Sequence, residues 1–150
     1  MALVAVLKAR LTKKERLFDP VRGKSVRALP EERVRLQLAD WLIKTVGVPQ
    51  RLLSVEYSLS QLDPRSRKRA DLVVWRPALA HAGEGGVLPW LLAECKAPGV
   101  ALTQGVADQV RGYAEKIRAE YVVLTNGVET RYFQSREGRF FEIVNLPSFG

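Results

Sequence analysis

The residues Glu94-Cys95-Lys96 close an apolar run, Trp90-Leu91-Leu92-Ala93. On a strand, residues i and i+2 face the same side, so Glu94 and Lys96 point together off the end of a segment composed like a sheet interior. Upstream, Asp71 opens a second apolar run, Leu72-Val73-Val74-Trp75. If the two strands are neighbours, two carboxylates and an ammonium converge. Phosphodiester hydrolysis has use for such a trio. It needs a nucleophilic water, neutralisation of charge developing on phosphate, and a stabilised leaving oxygen. Two close carboxylates repel, and a hard dication relieves the repulsion. Mg²⁺, or Mn²⁺ in its place, accepts one or two carboxylates together with waters and phosphate oxygens. The Cys95 carbonyl can add a ligand, and Lys96 can orient or activate the water. The same residues also have a plainer reading, in which Glu94 and Lys96 form a solvent-facing salt bridge and Asp71 is a turn or edge residue.

The elements that must position the trio follow from periodicity and punctuation. Residues 1–29 are basic and weakly periodic, with a turn-like Asp19-Pro20-Val21-Arg22-Gly23-Lys24, and are expected to form an extension packed on the core. Pro30-Glu31-Glu32 opens a helix: Pro suits the first turn and acids suit the positive end of the helix dipole. Val34, Leu38, Trp41, Leu42 and Thr45 form its apolar stripe, and Gly47 and Pro49 stop it. Ser54–Leu59 and Arg69–Trp75 read as a hairpin around the Arg-rich 61–68 segment, whose Asp63-Pro64 makes a turn. Residues 76–88 read as an exposed loop before the strand Trp90–Lys96. Gly105–Arg118 is a helix with Val106, Val110, Tyr113 and Ile117 on one stripe. Tyr121–Thr125 is a short buried strand, and Glu129–Gln134 with Arg139–Val144 make a closing hairpin around Glu137-Gly138. The expected fold is α/β: one domain over 1–150, with a central sheet flanked by helices in the order helix, three strands, helix, strand, then a C-terminal hairpin.

Composition narrows the classes. The chain has 150 residues, 47% hydrophobic and 27% charged, an ordinary globular balance. One Cys excludes a disulfide framework, and one His excludes a His-rich metal centre within one subunit. No apolar run approaches the roughly 18 residues of a membrane span, and residues 1–7 lack the basic region of a signal peptide, so a cytoplasmic protein without a membrane partner is expected. Lys and Arg number 24 against 16 Asp and Glu, giving +8 at pH 7, which favours a polyanionic partner.

Arg69-Ala70-Asp71 followed by Glu94-Cys95-Lys96-Ala97-Pro98 resembles the PD-(D/E)xK nuclease superfamily. More closely, Phe18-Asp19-Pro20-Val21-Arg22, Pro30-Glu31-Glu32-Arg33-Val34-Arg35, Val55-Glu56, Gln109-Val110-Arg111-Gly112-Tyr113 and Thr125-Asn126-Gly127 resemble the N-terminal nuclease domain of type I restriction enzyme R subunits. The likeness spans roughly residues 16–134. It implies a restriction-endonuclease-like core with a mixed sheet, and a Mg²⁺-dependent deoxyribonuclease. Asp71 and Glu94 would match the metal carboxylates and Lys96 the catalytic lysine. Glu32 would complete the site from the first helix, with Glu31 as the alternative. Gln109 and Tyr113 match a Q-x-x-x-Y element on the helix after the catalytic strand, although Tyr113 also belongs to that helix's apolar stripe. Implied partners are DNA and other restriction-modification subunits, or a second copy of the chain. The superfamily's Pro before the Asp is Ala70 here. No Walker A sequence occurs, so ATP-driven translocation is not carried over, and a stand-alone nuclease-like protein or a fragment is expected.

Other residues have two readings. Arg65, Arg67, Lys68 and Arg69 beside the Asp71 strand can clamp a phosphate backbone or form a solvated hairpin tip. Trp75 and Trp90 read as core or rim, His81 as an exposed loop residue, and Cys95 as an inert buried thiol. Besides the nuclease, the sequence admits a non-catalytic DNA-binding module with the same fold, and an interaction protein for another acidic macromolecule.

Overall fold

The computed structural model describes residues 15–78 and 86–150. His81 and residues 1–14 lie outside the described residues. β1 (Arg16–Asp19) and β2 (Lys24–Arg27) form a separate antiparallel hairpin, where the sequence suggests only a turn. Asp19 makes it. Its carboxylate accepts from the Val21 and Arg22 N–H groups at 3.0 and 3.2 Å, and its carbonyl accepts from Gly23 at 2.8 Å. Gly23 takes φ 64, a left-handed angle that glycine adopts without steric cost.

α1 (Pro30–Trp41) has Pro in its first turn beside Glu31 and Glu32, as expected. It continues as a π-helical turn, Leu42–Val46, closed by Gly47 at φ 90. The wider turn rephases the apolar stripe. Val34, Leu38, Leu42 and Val46 are buried, whereas Thr45, expected on the stripe, is exposed.

The main sheet holds six strands in chain order: β3 (Leu53–Ser58), β4 (Arg69–Pro77), β5 (Val87–Cys95), β6 (Tyr121–Thr125), β7 (Thr130–Arg136) and β8 (Arg139–Ile143). Neighbours are antiparallel except β5 and β6, which run parallel and are joined through α2 (Gln104–Ile117). Parallel neighbours need such a crossover. Thr103 caps α2 by accepting from the Val106 N–H at 3.3 Å. β4 and β5 reach further than expected, to Pro77 and from Val87, into the 76–88 segment read as loop. Glu137 and Gly138, both at positive φ, turn β7 into β8.

Alternation along β4 and β5 sorts the core onto two faces. Leu72, Val74, Leu91, Ala93 and Cys95 pack with α1. Val73 and Leu92 pack with Ala107, Val110, Ala114 and Ile117 of α2. The sheet is thereby a mixed α/β layer between helices, consistent with a restriction-endonuclease-like fold. Trp90 is buried against Tyr121 and Phe149, and Trp75 packs edge-on to Tyr57 with its Nε1 donating to Ser54 at 2.9 Å. Both tryptophans are core or rim residues.

Candidate active site

Asp71 and Glu94 meet where the β4–β5 ladder ends. Leu72 and Ala93 are the last paired residues; one step beyond them, Asp71 and Glu94 stand across from each other. There the Asp71 carboxylate takes over from main-chain pairing: its Oδ2 accepts the Cys95 N–H at 2.6 Å. Lys96 follows β5 and donates its Nζ to Glu94 Oε1 at 3.2 Å. Its main-chain N–H is held by the Thr125 carbonyl at 2.8 Å, which fixes the backbone from which the side chain projects.

A backbone irregularity prepares Asp71. In β3, Val55 pairs with Leu72 and Tyr57 with Ala70, and Glu56 lies between, opposite Asp71. Glu56 has φ 51, a left-handed angle that costs a non-glycine residue about 1 kcal/mol or more. Strand alternation is broken there. Val55 packs with the α1-side core and Tyr57 with the α2-side core, and Leu72 and Ala70 divide in the same way. Asp71 sits at this change of face.

Glu56 is held in its conformation by arginines. Arg35 donates to it at 2.9 Å and Arg22 at 3.3 Å. Arg22 also binds Asp19 at 2.6 Å and Glu32 at 3.4 Å, and Arg35 pairs with Glu32. This network ties residues 15–29 to α1 and β3, with Gln50 donating to the Pro20 carbonyl at 2.9 Å and Arg33 to Glu15 at 3.1 Å. Burial opposes ionisation of Glu56, but Arg35 and then Arg22 and Arg69 hold its carboxyl below its ordinary value.

The trio is in a different electrostatic state. Burial pushes the Glu94 carboxyl up to about 7, and Asp71 adds to the rise while Lys96 opposes it. Burial also raises Asp71; the Cys95 N–H works against this, Glu31 adds to it, and Arg35 and Lys96 oppose it. Burial opposes the charge on Lys96, yet Glu94, Glu31 and Asp71 together raise its pKa. Burial pushes the Cys95 thiol well up, so it stays a neutral, fully buried group, as expected of an inert cysteine.

The candidate helix acids separate. Glu32 is engaged by Arg22 and Arg35. The charge that reaches Asp71, Glu94 and Lys96 is that of Glu31. The arginines thus claim Glu32, whereas Glu31 acts on the trio through its charge. Gln109 is exposed and its side chain forms no hydrogen bond among the described residues, so nothing draws it to the trio. Tyr113 is half-buried against the α2-side core, with the Lys68 ammonium 5.7 Å from its ring centroid. It lines a cavity with Arg65, Arg67 and Lys68 rather than touching the trio. Arg69 is exposed at the start of β4. Sequence reasoning missed the Arg22–Arg35–Glu56 network and the part played by Lys116, which lines the Tyr113 cavity. The signal for Lys116 was its i+3 spacing from Tyr113.

The donor set suits a hard dication. Two part-buried carboxylates, each raised by burial and Glu94 further by Asp71, present oxygen ligands beside a single lysine. Among the described residues, no three His, Cys, Asp or Glu side chains are grouped to hold a metal ion by themselves. Mg²⁺ does not require such a cage, since one or two carboxylates with substrate phosphates and waters suffice. No helix among the described residues is long and apolar enough to cross a membrane. A search of curated proteins returned no match. A family model described as the type I restriction enzyme R protein N terminus matches residues 30–147. That span contains α1, all six strands of the main sheet and the Asp71, Glu94 and Lys96 positions, and the chain belongs to this family of restriction-enzyme R protein N-terminal domains.

Proposed function

We propose that the chain is a metal-dependent DNA endonuclease that hydrolyses phosphodiester bonds. The observation that carries this reading is the meeting of Asp71, Glu94 and Lys96 at one strand end, with Glu94 raised to about 7 by burial and by Asp71. Asp71 and Glu94, with the Cys95 carbonyl, would hold Mg²⁺ or Mn²⁺. When bound, the ion supplies charge neutralisation at the phosphate and a more acidic water. The residues supply the rest. The Cys95 N–H fixes one oxygen of Asp71 and leaves the other to a ligand. Glu94 gives up its proton more readily once its negative surroundings are offset. Lys96 keeps its proton, so its role is cationic: it orients the attacking water and offsets charge growing on the phosphate. Family membership supports a nuclease-like role, a DNA substrate and association with other restriction-modification subunits.

Supercoiled plasmid incubated with Mg²⁺ or Mn²⁺ is the direct assay. Wild type should nick or linearise it, and Asp71→Ala and Lys96→Ala should not. Equal cleavage by the variants would refute the assignment of the trio. Salt-sensitive DNA binding with no cleavage under either ion would leave a DNA-binding module.

A further inference from the structure

The Tyr113 cavity lies outside the trio. It has a volume of about 210 Å³, between the 61–68 segment and the C-terminal half of α2. Its walls carry four cations: Arg65, Arg67 and Lys68 from the segment and Lys116 from the helix. All four are exposed, and none forms an ion pair among the described residues. Other exposed cations, such as Arg118, Arg136 and Arg139, are unpaired among the described residues too; what sets these four apart is that they line one hollow. One acid, Asp63, also lines the cavity, but its carboxylate is turned to local work, accepting the Arg65 N–H at 3.2 Å. Leu59 and Ile117 are the apolar side chains of the lining.

The segment is built rather than loose. Asp63 N–H donates to the Leu59 carbonyl at 2.8 Å, Ser66 N–H to the Asp63 carbonyl at 2.9 Å, and Leu59 N–H to the Lys68 carbonyl at 2.9 Å. Lys68 N–H donates to Ser66 Oγ at 3.2 Å. Four like charges held around one hollow repel one another, and an anion between them removes that cost. The volume is below the roughly 300–1,000 Å³ that encloses a whole cofactor-sized ligand, and suits a phosphate with its waters.

We propose that this cavity receives one backbone phosphate of the DNA strand that is cut. Lys68 lies three residues before Asp71 on the same stretch of chain, about 10 Å at strand rise. Phosphates of one strand are about 3.4 Å apart along the axis and further apart through space because the strand winds, so the bound phosphate lies roughly one or two nucleotides from the bond at the trio. This placement rests on the nuclease reading; the anion site itself does not. Lys116 joins the three arginine and lysine residues of the segment as a DNA-contact residue, and Tyr113 is a packing partner that positions Lys68.

The test is binding of a short fluorescent duplex in EDTA, where no cleavage occurs, as a function of salt. Lys116→Ala and Arg67→Ala should each weaken binding several-fold and flatten the log–log salt slope by about 1. Arg136→Ala, an exposed cation on β7, should leave both unchanged. Competition by closed circular DNA should equal that of linear DNA with or without a 5′-phosphate; preference for the terminal phosphate would overturn the backbone assignment. Wild-type slopes in both pocket variants, or no duplex binding at low salt, would overturn the site. A wild type that cleaves plasmid while its pocket variants bind normally sinks the pocket alone. Pocket-dependent binding by a chain that never cleaves sinks the nuclease reading alone and leaves the anion site standing.

Discussion

Two clusters of the same residue types flank the start of α1 and are held in opposite electrical states. In one, Asp19, Glu32 and Glu56 are each matched by a guanidinium of Arg22 or Arg35. In the other, Asp71 and Glu94 share Lys96 as their nearby ammonium, and Asp71 has a main-chain N–H instead of a cation at hydrogen-bond distance. The outcome is that Glu56 is held below its ordinary pKa while Glu94 is pushed up to about 7. Burial raises carboxyl pKa values in both places, but Glu94 is the more deeply buried and has one ammonium where Glu56 has two guanidiniums, so burial and cation supply together set the opposite signs. The first cluster fixes backbone, including the left-handed Glu56 opposite Asp71. The second has two carboxylates beside one ammonium, a deficit of positive charge that a dication would fill under the nuclease reading.

The largest effect that sharpens this contrast is catalytic. Under the nuclease reading, Lys96→Met should lower plasmid cleavage by about 10²–10³-fold, the scale for removing one preorganised donor from a transition state. Its thermal stability should change little, because Lys96 follows the strand and is partly exposed. Arg35→Met should do the reverse. It leaves Glu32 and Glu56 short of a partner and should cost about 3 kcal/mol in urea unfolding, the lower end for breaking a buried pair because Glu56 is 42% exposed. If Arg35→Met were neutral, the network would not be a structural clamp, and the contrast would fail on that side.

A third effect is a pH dependence with a definite sign. The Glu94 carboxyl titrates near 4.5 in the unfolded chain and near 7 in the folded one. The folded state therefore binds the proton more tightly, and this contribution to stability is complete below about 4.5 and is lost as pH rises towards 7. The loss is about 3 kcal/mol for a shift of this size. Glu94→Gln, which mimics the protonated form, should raise the melting temperature at about pH 8 and leave it unchanged at about pH 4.5. A gain at both pH values would mean that Glu94 is disfavoured for its shape rather than its charge.

The trio was legible in the sequence because strand alternation is a short-range rule: an apolar run ending in Glu94-Cys95-Lys96 fixes which side chains share a side. The π-helical turn was not legible, since Leu42 and Thr45 suit an ordinary helical stripe and only Gly47 and Val48, packed beyond it, reveal the wider turn. The β1–β2 hairpin was missed for another reason. Its strands have four residues each, mostly charged or polar, and its stability comes from Asp19 and from contacts such as Arg16 donating to the Ser25 carbonyl at 2.8 Å. Those contacts are absent from any hydrophobic pattern. Missing the hairpin also obscured Arg22, and without Arg22 nothing in the chain separates Glu31 from Glu32.

Those neighbours provide the smallest and most discriminating comparison. Successive residues on a helix are about 100° apart, so Glu31 and Glu32 share a helix turn but not a direction. Glu32 carries the charge that matches Arg22 and Arg35, and Glu32→Gln should lower stability by about 1–2 kcal/mol, the scale for weakening a charged hydrogen bond. Its cleavage per folded molecule should stay within about twofold, because its charge faces the clamp. Glu31 forms no ion pair among the described residues, yet it raises Asp71 and Glu94. Glu31→Gln should leave urea stability within about 0.5 kcal/mol, as at an ordinary surface position. It should weaken Mn²⁺ binding, read by calorimetry, by several-fold, because it removes negative charge from the surroundings of two candidate ligands. A reversal, with Glu32→Gln losing metal and Glu31→Gln losing stability, would mean that the helix presents its other side to the strands. The boundary between the clamp and the site would then have to be redrawn through Arg22.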